Sequence, residues 1–208
     1  MNESKPMGIY ERYLGLRIRR DIGTPPRIVA VVLTEQDLLE QGAYDRLAAL
    51  LEWAFEFGAT RVLIYVSVLD DRVVPTLERQ LASMGTSHDI AVRGPSDDTP
   101  VDTPVQASVG LGGRHEFATA VHALAGRVEA GALDPDEITE AELEKQLVFP
   151  DEPDLVIKTG AERLSDFLIW QSVYSELYFT DVNWRNLRKR DYLRAVIDYL
   201  DRQRRFGR

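Results

Sequence analysis

Apolar positions along this chain fall into two alternating patterns. The first is a short, continuous run rich in β-branched residues. Residues 28–33 (IVAVVL) and 61–66 (RVLIYV) have this form, and each reads as a strand buried on both faces. The second is the three-to-four-residue spacing of an amphipathic helix. Residues 43–57, between the two runs, place Leu47, Leu50, Leu51, Ala54 and Phe55 at that spacing, and Gly58 supplies a stop. Strand, helix and strand at this separation make a βαβ unit with parallel strands.

The alternation continues. A helix is read over 77–84 and strands over 90–92 and 105–111. A helix over 115–130 sets Phe117, Val121, Leu124 and Val128 on one face. Thr139 and Glu142 have capping-box spacing ahead of another helix. A strand over 154–157, a helix over 165–174, a strand over 177–179 and an amphipathic helix over 192–203 close the chain. Residues 94–104 are acidic, rich in proline and poor in large apolar side chains, and read as a mobile loop. No internal repeat appears. The prediction is one domain over residues 1–208: an α/β fold with a single, mostly parallel sheet and helices on both faces.

Composition narrows the function classes. No apolar run approaches the ~18 residues that span a bilayer. The first ten residues lack the apolar core of an export signal. There is no cysteine, which excludes disulfides and thiolate metal sites. A soluble, cytoplasmic protein is expected. The net charge of −9 argues against nonspecific nucleic-acid binding. Basic residues are lopsided, with four lysines against twenty-one arginines. An acidic, lysine-poor surface suits a salt-rich cytoplasm, so a halophilic source is expected. No basic amphipathic helix is read from the sequence, and membrane contact is expected to be peripheral at most.

Ligands of open α/β sheets bind beyond the carboxyl ends of the strands. The turn after residues 154–157 is the most informative such place. It reads Lys158-Thr159-Gly160-Ala161-Glu162-Arg163-Leu164-Ser165. Ser165 is a natural N-cap, and a helix start offers unpaired amides at the positive end of its dipole. Lys158 and Arg163 add cations, and Gly160 permits close backbone approach. Together these suit a phosphate or diphosphate. A capped helix with ordinary surface cations has the same pattern.

Residues 154–184 read DLVIKTGAERLSDFLIWQSVYSELYFTDVNW. This segment closely resembles the C-terminal signature of the cis-prenyltransferases, the undecaprenyl diphosphate synthase family. That signature runs DLVIRTGGE, one residue, R, I/L-S, FLLWQ, AELYFTD and W. Gly112-Gly113-Arg114 resembles the family's YGGR stretch, and Arg204-Arg205-Phe206-Gly207 its terminal R-x-G motif. Residues 50–65 (LLEWAFEFGATRVLIY) follow its first long helix and second strand. The resemblance implies polyprenyl diphosphate synthesis, in which isopentenyl diphosphate condenses with an allylic diphosphate in a magnesium-dependent dimer. It places Lys158, Arg163 and Ser165 on the diphosphate of isopentenyl diphosphate. Lysine for the family's arginine keeps the charge and loses the bidentate fork. It places Glu176 on Mg2+, and Arg205 and Gly207 on a tail that reaches the neighbouring subunit.

The other half of the family's site is altered. Its first strand ends in M-D-G-N-x-R-W, whose aspartate is catalytic. Here the strand runs Val31-Val32-Leu33-Thr34-Glu35-Gln36-Asp37, so Thr34 stands for the aspartate, Glu35 for the glycine and Gln36 for the asparagine. The basic, glycine-bearing stretch that follows in the family is much shortened. The family's F-S-x-E-N-W has become Ser67-Val68-Leu69-Asp70-Asp71. Ionising an allylic diphosphate needs positive charge or a metal at the leaving group. A rim of Glu35, Asp37, Asp70 and Asp71 has the wrong sign for that. Asp37 or Glu35 replaces the missing aspartate only through a register shift. Three functions stay open. The leading expectation is an accessory subunit, without the catalytic aspartate, that pairs with a complete paralogue. The others are an active, diverged polyprenyl diphosphate synthase and a stand-alone isoprenoid-diphosphate binding protein.

Overall fold

The structure is a computed structural model that describes residues 8–97, 102–148, 150–160 and 170–205. The chain enters through α1 (Ile9–Arg20), then β1 (Ile28–Thr34), a short α2 (Glu35–Leu39), α3 (Ala43–Glu56) and β2 (Arg61–Ser67). It continues through α4 (Val74–Ala82), β3 (Ile90–Arg93), β4 (Val105–Val109), α5 (Gly113–Glu129) and α6 (Glu140–Glu144). β5 (Leu155–Thr159), β6 (Glu176–Thr180) and α7 (Lys189–Arg205) complete it. The strands form one sheet in the order β3-β4-β2-β1-β5-β6, and every neighbouring pair is parallel. The expected α/β sheet is present, wholly rather than mostly parallel among the described residues.

Continuous apolar runs make these strands because both faces of a parallel sheet are covered. Five consecutive residues of β1 and of β2 are buried. Val29, Val31 and Leu33 turn to one face, where they join Leu14 of α1, Leu47 and Leu51 of α3, Leu77 of α4 and Leu193 of α7. Ala30 and Val32 turn to the other, beside Leu63, Tyr65 and Val156. Among the described residues, no helix is long and apolar enough to cross a membrane.

Three local readings differ from the structure. α5 buries Gly113, Glu116, Ala120 and Leu124 rather than the face carrying Phe117 and Val121, both of which are exposed. A polar anchor sets this rotation: the buried Glu116 carboxylate accepts the Val148 N–H at 2.9 Å and the Gln171 side-chain amide at 3.1 Å. At α6, Thr139 Oγ1 accepts the Glu142 N–H, but the Glu142 carboxylate goes to Arg127 at 2.8 Å instead of closing a capping box. Residues 170–174 form turns where a helix is expected, and 165–169 lie outside the described residues, as do 98–101 of the acidic loop. α1 has no counterpart in the sequence reading.

Asp154 fastens the amino ends of β1 and β5 together. One carboxylate oxygen accepts the N–H of Arg27 at 2.7 Å and of Ile28 at 2.8 Å, while the Asp154 N–H donates to the Ile28 carbonyl. Asp154→Ala strands two amides at the entry to the central strand. The expected loss is about 1–3 kcal/mol of unfolding free energy in urea titrations. Asp154→Asn keeps an acceptor oxygen and loses less. An alanine variant within ~0.5 kcal/mol of the parent, the range of an ordinary surface change, removes this role.

Candidate functional site

The strand order locates the site. From β1 the chain proceeds to β2 on one side, whereas β5 pairs with β1 on the other. Connections leaving β1 and β5 therefore diverge, and a crevice opens beyond their carboxyl ends. A cleft of about 660 Å3 lies there. Thr34, Gln36, Asp37 and Glu40 form one wall, and Lys158, Thr159 and Gly160 form its floor. Asn183, Arg185 and Asn186, from the connection after β6, form the far wall.

The floor of the cleft carries a buried cation. Lys158 is 4% exposed, and its Nζ donates to the Thr159 carbonyl at 3.2 Å. Among the described residues it has no carboxylate partner. A buried ammonium held by one neutral acceptor is poorly compensated. The buried Thr159 Oγ1 has no hydrogen-bond partner among the described residues. Gly160 takes φ +76°, a left-handed conformation that strains any side chain, and its N–H reaches the Val182 carbonyl at 3.3 Å. That bond joins the end of β5 to the connection carrying Arg185. Arg185 is exposed and makes no ion pair among the described residues.

The carboxylates have local duties. Asp37 accepts the Thr34 N–H and hydroxyl, each at 2.8 Å, while Thr34 Oγ1 accepts the Asp37 N–H at 3.2 Å. This closed ring caps α2. Glu35 accepts the N–H groups of Leu69 at 3.0 Å and Asp70 at 3.4 Å, away from the cleft. Asp70 pairs with Arg72 at 2.6 Å, and that bonding holds its carboxyl below the usual range. Of the expected acidic rim, only Asp37 lines the cleft; Glu40 joins it, opposite Lys158 and Arg185.

Residues 91–207, more than half of the chain, match the family described as putative undecaprenyl diphosphate synthase. The chain belongs to the undecaprenyl diphosphate synthase family. It is 35% identical over 200 residues to a tritrans,polycis-undecaprenyl-diphosphate synthase (geranylgeranyl-diphosphate specific) of Methanopyrus kandleri, covering 79% of this chain and 74% of that protein. A Methanocaldococcus jannaschii protein of the same description is 34% identical over 220 residues, covering 96% of this chain and 75% of that one. The fold matches that of lavandulyl diphosphate synthase from Lavandula x intermedia with a TM-score of 0.65 at 21% identity, over 85% of this chain and 95% of that one.

Against the family's signature, the structure brings Lys158 and Asp37 to one cleft. Arg163, Ser165 and Gly207 lie outside the described residues; Arg205 is the last residue of α7. Glu176 stands apart, at the amino end of β6. It pairs with Leu155 in the sheet, four residues or about 13 Å along the strand from the Thr159–Thr180 pair at the cleft. Its carboxylate binds Arg202 at 3.0 Å. Among the described residues, no group of three or more histidines or carboxylates is placed to hold a metal. Magnesium is commonly held by one or two carboxylates together with waters and substrate phosphates; among the described residues, Asp37 and Glu40 are the carboxylates that line the cleft. Arg185 escaped the sequence reading because it follows Trp184, where the matched signature stops. Its one signal was a cation in the turn after a parallel strand.

Proposed function

We propose that this protein is an accessory subunit of polyprenyl diphosphate synthesis, which keeps the isopentenyl-diphosphate half of the site and pairs with a complete family member. The contrast within the cleft carries this reading. Lys158 is buried without a counter-charge among the described residues, while Asp37 is closed in a helix-capping ring and Glu35 points elsewhere. Lys158, Thr159 and Arg185 hold the diphosphate, joined by Arg163 and Ser165 on the strength of the resemblance. Expelling an allylic diphosphate needs a second concentration of positive charge. Asp37 and Glu40 occupy the wall where it would sit. The Arg205 and Gly207 tail gives such a subunit a means of completing its partner's site.

A second reading, an active diverged synthase, draws support from Asp37 facing Lys158 across the cleft and from the synthases among its relatives. Incorporation of radiolabelled isopentenyl diphosphate separates the two. The purified chain is supplied with magnesium and farnesyl or geranylgeranyl diphosphate at high salt, as its acidic, lysine-poor composition suggests. No product from the chain alone, with faster turnover once a complete family member is added, is the expected result. Product from the chain alone, abolished by Asp37→Ala, replaces the accessory reading with the second. Binding by calorimetry with no product in either mixture leaves a stand-alone binding protein.

A further inference from the structure

Helix α1 buries little of itself. Leu14, Gly15 and Ile18 pack inward, with Gly15 close against the Phe57 ring. The opposite side carries Ile9, Tyr13 and Leu16 at helical spacing, 89%, 59% and 48% exposed, and Ile22 just past the helix is fully exposed. Surface apolar residues usually stand singly; this is a stripe. Arginines frame it. Arg17 is tied to Asp201 at 2.8 Å and Arg19 to Glu56 at 3.1 Å, but Arg12 and Arg20 are exposed and make no ion pair among the described residues. An open groove of about 520 Å3 sets Arg17, Arg20 and Asp21 beside Tyr13, Leu16 and Ile22, and the Asp21 carboxylate accepts the Gly23 N–H at 2.9 Å.

We infer that this face of α1 is where the protein rests on an anionic lipid surface. An apolar stripe flanked by arginines, carried on a helix lying along the protein, has the chemistry of the boundary between headgroups and acyl chains. Ile9, Leu16 and Ile22 enter the acyl region. Tyr13 stays at headgroup depth with its hydroxyl wet, and Tyr10 is held beside it by Arg194, whose guanidinium lies 5.3 Å over its ring. Arg12 and Arg20 meet lipid phosphates. The chain as a whole carries −9, so the exposed Arg12 and Arg20 beside the apolar stripe mark the side that faces the membrane. The inference rests on α1 alone and stands whichever reading of the cleft holds.

Vesicle flotation of the full chain tests it, with phosphatidylglycerol vesicles against phosphatidylcholine vesicles at the lowest salt at which circular dichroism shows the chain folded, near about 0.1 M, where charges ~10 Å apart still interact. The parent is expected to float with the anionic vesicles and much less with the neutral ones. The triple variant Ile9→Ser, Leu16→Ser, Ile22→Ser removes exposed side chains only and should melt like the parent. Its partitioning should fall at least about tenfold, since three side chains no longer leave water for the acyl region. Arg12→Gln with Arg20→Gln should abolish the preference for anionic vesicles. A parent that does not float, or variants that float equally, overturns the inference. So does a triple variant that floats like the parent but loses mass in light scattering, which would make the face a contact between proteins.

Discussion

Replacing Lys158 with methionine is expected to weaken isopentenyl diphosphate binding by about ten- to a hundredfold, the loss of one charge-assisted contact worth ~1.5–3 kcal/mol. Methionine keeps the unbranched stem and most of the volume, so the floor of the cleft stays filled. The buried ammonium disappears with it. Since, among the described residues, that group is compensated by the Thr159 carbonyl alone, the variant should melt at the parent's temperature or above it. Weaker binding with equal or greater stability is the mark of a residue kept for a ligand, because a purely structural lysine would lower both. Calorimetry with isopentenyl diphosphate and a thermal melt read the two quantities. Unchanged affinity would remove Lys158 from the site. Lys158→Arg restores the family's side chain and should bind at least as tightly through its planar fork.

The sequence carried the sheet well, because a parallel sheet writes itself as continuous apolar runs. β1, β2, β3 and β4 begin where those runs begin, and α3 spans nearly the predicted helix. Helix faces were less legible. The turn of α5 is decided by Glu116, a carboxylate that apolar periodicity leaves out of account, whose partners Val148 and Gln171 are far away in sequence. α1 was invisible for a related reason. Its exposed Ile9, Tyr13 and Leu16 blur the contrast between an inner and an outer side, and that blurring is the surface feature that suggests a lipid partner. The floor of the cleft was legible through a motif, down to Lys158. Its far wall was not, because strand order alone brings the connection after β6 beside α2.

That far wall depends on one ring. Trp184 is fully buried in the main core and opens the single turn Trp184–Asn186, in which Asn186 donates to the Asn183 carbonyl at 2.8 Å. Asn183, Arg185 and Asn186 reach the cleft because the ring between them is pinned. Trp184→Ala opens a large cavity and is expected to cost ~3–5 kcal/mol, much of the 5–15 kcal/mol by which such domains are stable. The indole N–H has no hydrogen-bond partner among the described residues, so Trp184→Phe removes an unsatisfied donor while filling most of the space. Its cost should be less than half that of alanine, read as denaturant midpoints at constant slope. Binding should separate the variants too. Phenylalanine keeps the connection seated and isopentenyl diphosphate affinity near the parent's, whereas alanine lowers affinity even well below its melting temperature. An alanine variant that binds normally while folded would show that the backbone bonds of Gly160 and Asn186 hold the wall without the ring.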